Sequence, residues 1–350
     1  MQAHDDILEL VRQKSAEAVR KMQRALILQP GAIGDCILTL PLAAYMKDAL
    51  DLGGIDILGH TEYIGFLPGR SCVDGIRSID SMDIHRFFAE ATTFVLKDRD
   101  PLISAFGDYA WIATFLGEPN SNFEQNLIYT ANCSHSAEVI TLSMKPPKGF
   151  SEHLADFYIR QLIDQSGHSL LSRRFQTEDC LIKATEADIN TGRELLRKIG
   201  LGSGEKLMVI QPGSGGARKC WHLENFLAVA RELDSRGVEI VFLLGPAELD
   251  RFSDAKIKKI SSVGKCLTDL SLTQVLGLLS CVDGFIGNDS GITHLAAALG
   301  IRTYGVFGPT NPAVYKSIGP AVTVFTSRTA SFARKPSVSL QRKLLEVLTV

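Results

Sequence analysis

A strand-like run ending in Gln-Pro-Gly occurs twice in this chain, and that pair constrains the fold more than any other feature. Ala25-Leu26-Ile27-Leu28 is short, wholly apolar and runs into Gln29-Pro30-Gly31-Ala32-Ile33-Gly34-Asp35. Leu207-Met208-Val209-Ile210 runs likewise into Gln211-Pro212-Gly213-Ser214-Gly215-Gly216, with the two motifs 182 residues apart. An apolar run without alternation suits a strand buried on both faces of a parallel sheet. A glycine turn that leads into a helical pattern then completes half of a βαβ unit. Its return halfway along points to two similar α/β domains in tandem, and 350 residues suffice for two.

The second half alternates cleanly. Helices are expected over 223–236, 247–260, 271–280 and 290–299, and strands over 238–244, 284–287 and 302–307, which gives a parallel sheet covered on both faces. In the first half a helical pattern follows Asp35 as far as Leu50, where Pro41 predicts a kink or a late start. Strands are expected over 55–58, 75–79 and 93–97. Residues 100–150 show no clear period. A helix is expected over 151–165 with Ser151 as its N-cap. The domain boundary is sought between 167 and 205, where SGHSLLSRRF and GLGSGEK read as loops. The organisation expected is an appended helix over 1–24, an N-terminal Rossmann-like domain over 25–185 and a C-terminal one over 186–330. A final helix over 331–350 is expected to pack back on the N-terminal domain.

Charge and cysteine usage exclude several classes. Lys and Arg number 37 against 39 Asp and Glu, a net charge of −2, so the chain is no general nucleic-acid binder. Seven widely spaced cysteines without a CxxC argue against a disulfide framework or structural zinc and fit a reducing cytoplasm. The charged N-terminus has no signal-peptide core, and no charge-free run approaches the ~18–20 residues of a membrane span. From Arg328 to Val350, five basic residues (Arg328, Arg334, Lys335, Arg342, Lys343) face one acid, Glu346. That is a solvated face or a contact to an anionic lipid or substrate.

Three segments carry chemistry. In Ile286–His294 (IGNDSGITH) a strand ends, a polar turn follows and a helix begins. The N–H groups at such a helix start favour an anion. Ser290 and His294 share a helix face, at the strand end where open α/β sheets bind ligands. The plainer reading makes Asp289 or Ser290 an N-cap and His294 a core residue. In Pro212–Trp221 (PGSGGARKCW) small residues admit a phosphate close to the backbone and Arg218 and Lys219 add positive charge. Neither a Walker loop nor GxGxxG is present, and a surface loop is the alternative. In Gly31–Asp35 the turn ends in a carboxylate, either an N-cap or a general base. Glu248 follows a strand at the same edge, where an acid can hold ribose hydroxyls. Asp98-Arg99-Asp100 has the DxD form of metal-dependent sugar-nucleotide transferases, a form frequent by chance.

Together these segments resemble the heptosyltransferase family, glycosyltransferase family 9. GAIGDCILTLPLAAYMK (31–47) looks like its GxxGDxLLxTP stretch, and SEHLADFYIRQLIDQSG (151–167) like its His-containing helix near the linker. QPGSGGARKCWHLENFLAVA (211–230) looks like the block built on PG(S/A), K-x-W and Phe, and FLLGPAE (242–248) like LGGPxE. GNDSGITHLAAALGIRTYGVFGPTNP (287–312) is similar, almost residue for residue, to GNDTGxxHLAAALGxPxxxLFGPTxP. The resemblance is faint over 52–150.

The family implies a GT-B architecture, two Rossmann-like domains with parallel sheets facing a cleft. It also implies inverting, metal-independent transfer of heptose from ADP-heptose to an inner-core lipopolysaccharide acceptor, with no cofactor. By position Asp35 matches its catalytic base, in a turn with Gly31 and Gly34. Ser214 and Lys219 match its donor-phosphate contacts, Glu248 the acid near the donor ribose, and Asp289, Ser290, Gly291 and His294 its donor-binding loop. A lipid-linked acceptor implies a cytoplasmic enzyme with peripheral contact to the inner membrane. Cys220, His222 and the Gly215-Gly216 pair depart from the family pattern. A relative with another nucleotide sugar or acceptor, or a Rossmann-type nucleotide-binding protein or oxidoreductase, are the alternatives.

Overall fold

The computed structural model describes residues 23–167, 180–202, 204, 206–327 and 329–348. The appended helix therefore lies outside the described residues up to 22, and Arg24 already belongs to a strand. The chain forms two compact units. The first takes in residues 23–32, 39–149 and 154–167, and the second residues 33–38, 150–153 and those from 180 onward.

The first unit is a five-stranded parallel sheet in the order β3-β2-β1-β4-β5, from β1 (Arg24–Leu28), β2 (Gly54–Gly59), β3 (Gly75–Ser78), β4 (Trp111–Thr114) and β5 (Glu138–Thr141). The apolar opening run is central, with Ala25 to Leu28 fully buried. Phe87 meets Phe106 and Phe123 edge-on at 5.3 and 5.4 Å in the core beside Leu26, Leu58 and Leu127. At the start of the sheet the Tyr109 hydroxyl donates to Asp56 Oδ2 at 2.7 Å, and Arg24 pairs with the same carboxylate.

Three expectations change in this unit. The stretch 93–97 is no strand: the N–H groups of Thr93 and Phe94 both turn back to Glu90 O, and Phe94 and Leu96 drop onto the core. The helix Ile33–Ala49 starts at once and continues through Pro41, because the buried row Leu38, Leu42, Met46 holds it against the lost hydrogen bond. The helix expected from Ser151 starts at Leu154.

The second unit is a six-stranded parallel sheet, β11-β10-β9-β6-β7-β8. Its strands are β6 (Lys206–Gln211), β7 (Val238–Leu244), β8 (Lys265–Thr268), β9 (Gly284–Asn288), β10 (Thr303–Phe307) and β11 (Val322–Thr326). The helices Glu186–Lys198 and Leu272–Leu279 pack so closely that a Cβ on Gly192 would overlap the Gly277 carbonyl. The helix expected over 247–260 is two, Pro246–Arg251 and Asp254–Ser261, since Phe252 is extended at φ −91°.

The C-terminal helix, Val338–Val347, corrects the expected organisation. Leu340, Leu344 and Leu348 join the core of the second unit, not the first, beside Leu227 and Ile240. Asn225 Oδ1 accepts from Ser337 N at 2.7 Å and Gln341 Nε2 at 2.6 Å, so a polar clamp fixes the same docking. No helix among the described residues is long and apolar enough to cross a membrane.

Candidate nucleotide site

The second Gln-Pro-Gly turn leaves the carboxyl end of β6, in the interior of its sheet and hydrogen-bonded to β7 and β9. Ten residues, Pro212 to Trp221, separate it from the turn that opens the helix Leu223–Ser235. A loop with three glycines needs external partners to hold one shape. Asn288, the last residue of β9 and fully buried, supplies three of them. Its Nδ2 donates to Pro212 O at 2.8 Å and Gly213 O at 3.1 Å, and its Oδ1 accepts from Trp221 N at 2.8 Å. Ser214 is buried and its hydroxyl donates to Asp289 O at 2.7 Å. Trp221 seals the base, edge-on to Phe226 at 5.2 Å, and His222 caps the next helix through Nδ1, which accepts from Glu224 N.

The neighbouring loop starts a helix in the way its sequence implied. Ser290 is the N-cap of Gly291–Ala298, and Thr293 N donates to its hydroxyl. That hydroxyl donates in turn to Gln211 Oε1 at 2.9 Å, which joins the second Gln-Pro-Gly turn to the helix start. Asp289 is the electrostatic centre. Lys219 Nζ lies 2.7 Å from Oδ2, and His294 Nε2 lies 3.8 Å from Oδ1. Burial opposes the charge on Asp289, but His294 and then Lys219 outweigh it and hold the carboxyl at about 2. Lys219 keeps part of its surface exposed, so it can meet an anion while still paired.

Glu248 lies in the first turn of the helix Pro246–Arg251, just past β7, buried against the same turn. A Cβ on Gly213 would overlap its carboxyl, so any side chain there would displace Glu248. The Gly245 N–H donates to Oε2 at 2.9 Å, and Oε1 has no hydrogen-bond partner among the described residues. Burial pushes this carboxyl up. Thus Ser214, Lys219, Glu248, Asp289, Ser290, Gly291 and His294, scattered over 81 residues of sequence, stand at one edge of one sheet.

Asp35 is half-buried in the first turn of Ile33–Ala49. Gly31 N donates to Gln29 Oε1 at 2.8 Å. Ile33–Leu38 belongs to the second unit, and within it a Cβ at Gly34 would come 3.1 Å from the His294 ring, tighter than side chains ordinarily tolerate. Asp98-Arg99-Asp100 has a structural use: Asp100 is buried, accepts from Leu102 N as a helix cap and takes a two-pronged ion pair from Arg86. That guanidinium holds the Asp100 carboxyl far below its usual range.

Sequence reasoning missed two residues that shape the loop, Asn288 and Arg251. Asn288 stood in the quoted GND motif but looked like a turn residue. Arg251 lies three positions after Glu248 on Pro246–Arg251, and its Nη1 donates to Ser214 O at 2.7 Å.

Two parallel α/β units with a glycine loop and a helix start at the strand ends define the GT-B class of nucleotide-sugar folds. Solved heptosyltransferases have this fold. The chain superposes on Escherichia coli ADP-heptose lipopolysaccharide heptosyltransferase II with a TM-score of 0.67, at 15% identity, over 93% of this chain and 97% of that one. A glycosyltransferase family 9 protein from Veillonella parvula gives 0.65 at 20% identity, over 93% and 95%.

The chain belongs to glycosyltransferase family 9 (heptosyltransferase), whose family model matches residues 150–344. Among curated relatives, lipooligosaccharide heptosyltransferase 2 of Campylobacter jejuni is 27% identical over 63% of this chain and 76% of its own length. The lipopolysaccharide core heptosyltransferase OpsX of Haemophilus influenzae is 28% identical over 39% of this chain, and the match spans 40% of that protein.

Proposed function

We propose that the chain is an inverting glycosyltransferase that moves heptose from ADP-heptose to a saccharide of the lipopolysaccharide inner core, without a metal. The observation that carries this reading is the meeting of Lys219, Asp289 and the Ser290 helix start beside a glycine loop at one sheet edge. In this reading the diphosphate of the donor lies on that loop, and Glu248 Oε1 takes a ribose hydroxyl.

Asp35 takes the proton of the acceptor hydroxyl as general base. The oxygen then attacks the anomeric carbon from the face opposite the diphosphate, and the bond to ADP breaks. Negative charge develops on the leaving diphosphate. The Lys219 ammonium and the N–H groups at Ser290 and Gly291 stabilise it, in fixed positions that need no reorganisation. The acceptor is a lipid-linked saccharide, and the enzyme works at the cytoplasmic face of the inner membrane.

A thermal-shift series with ADP, ADP-heptose, UDP, UDP-glucose and NAD tests the donor. A ligand at ~100 times its Kd adds about 2.7 kcal/mol to the folded state, a rise of several degrees for a domain of this size. The expected response is to ADP and ADP-heptose alone. A response to UDP compounds replaces the donor, and a response to NAD alone removes the transferase reading. Lys219→Ala is expected to weaken ADP binding at least tenfold.

A further inference from the structure

We propose that Arg251 is a positioning residue that sets the glycine loop in its anion-binding shape. This rests on the reading of Pro212–Trp221 as the diphosphate loop. One guanidinium grips two successive carbonyls: Nη1 donates to Ser214 O at 2.7 Å and Nη2 to Gly215 O at 2.5 Å. No peptide among the described residues is cis. In a planar trans peptide the carbonyl and the following N–H point in opposite directions. Drawing the Ser214 and Gly215 carbonyls toward Arg251 therefore turns the N–H groups of Gly215 and Gly216 away from it. Two consecutive amides turned to one side form the kind of concavity that receives a phosphate.

The loop needs such a device. A Cβ on Gly215 would meet nothing within 4 Å and one on Gly216 only the Lys219 stem. The Gly216 carbonyl accepts from Lys219 N and Cys220 Sγ, and the same thiol reaches Ser214 O only at 3.9 Å, so the peptide between Gly215 and Gly216 is left to Arg251. Asn288 holds the loop at Pro212, Gly213 and Trp221 and reaches neither glycine. Arg251 fills that gap from the helix that also carries Glu248, which faces Gly213. A single short helix thus presents the acid assigned to the ribose and the cation that shapes the phosphate loop. The fork geometry is specific to arginine, since a lysine ammonium carries the same charge without two parallel donors in one plane.

Calorimetric titration of ADP and of adenosine into wild type, Arg251→Lys and Arg251→Ala tests this. Expected is a loss of ADP affinity of about tenfold in the lysine variant and more in the alanine variant, with adenosine affinity unchanged in both. The split between ADP and adenosine is a readout that general destabilisation does not produce. Arg251→Lys, which keeps the charge, serves where Arg251→Ala fails to fold. Unchanged ADP affinity in the lysine variant, or equal losses for ADP and adenosine, overturns the proposal. If wild type binds UDP in place of ADP, the donor reading falls and the same contrast is read with UDP and uridine. If wild type binds neither diphosphate, both readings fall together.

Discussion

The two Gln-Pro-Gly turns begin alike and are held in opposite ways. In the first, Gln29 closes its own turn by accepting from Gly31 N and donates through Nε2 to Thr39 Oγ1 at 2.7 Å, only ten residues ahead. A helix follows at Ile33. In the second, Gln211 accepts from Ser290, 79 residues ahead. A long loop follows, held by Asn288 and Arg251 from two other elements. The side-chain bonds of Gln29 are thus local and that of Gln211 is tertiary, although Gly34 of the first turn also lies against the His294 ring. The second unit therefore builds a glycine-rich surface whose shape depends on distant residues.

That contrast is sharpest in Asn288→Ala. It removes a fully buried side chain with three hydrogen bonds and leaves Pro212 O, Gly213 O and Trp221 N without partners. The expected loss is about 3–5 kcal/mol, read as a lower urea midpoint at unchanged slope. A loss below about 1 kcal/mol would mean that the loop holds itself.

Next in size is the acid response of Asp289. Its carboxyl at about 2 lies below the ordinary 3.8, so its contribution is complete above about pH 4 and disappears as pH falls toward 2. The shift corresponds to roughly 2 kcal/mol. Stability followed from pH 5 to 2 is expected to fall less steeply in Asp289→Asn than in wild type, and parallel curves would remove the role given to Lys219 and His294.

The paired variants Gln29→Ala and Gln211→Ala test the difference directly. Each is expected to cost about 1–2 kcal/mol. Only Gln211→Ala should also weaken ADP binding, several-fold, because it loosens the Ser290 helix start. Equal effects on ADP would dissolve the distinction between the turns. The smallest effect belongs to the exposed pair of Lys259 with Glu224 at 2.6 Å. Lys259→Ala is expected to change stability by less than about 0.5 kcal/mol by thermal melting.

The same contrast explains what was legible in the sequence. The central strands, their glycine turns and the helix starts at Ser271 and Ser290 follow from apolar runs and caps within a few residues, and the structure has them. Strands β4 and β5 were not legible. Each is four residues long, and their place in the sheet comes from pairing with β1 and with each other. Thr93–Lys97 reads as a strand because a short apolar run, Phe94-Val95-Leu96, looks the same whether it packs on a core as a turn or as a strand. The C-terminal helix is legible, though it spans Val338–Val347 where 331–350 is expected, and its docking depends on Asn225, more than a hundred residues earlier. At the site, the residues that would touch a ligand lie within motifs. Arg251 is visible only through the carbonyls it holds, and no spacing announces that.

The most direct test of the whole account is transfer itself. Purified protein is incubated with ADP-heptose and a heptose-deficient lipopolysaccharide core, and ADP release and acceptor mass are followed together for wild type and Asp35→Asn. The expected result is one heptose gained per acceptor with wild type, and a turnover lower by about a hundredfold or more in Asp35→Asn with ADP affinity unchanged. Full turnover by Asp35→Asn, or no transfer by wild type that binds ADP-heptose, would contradict it.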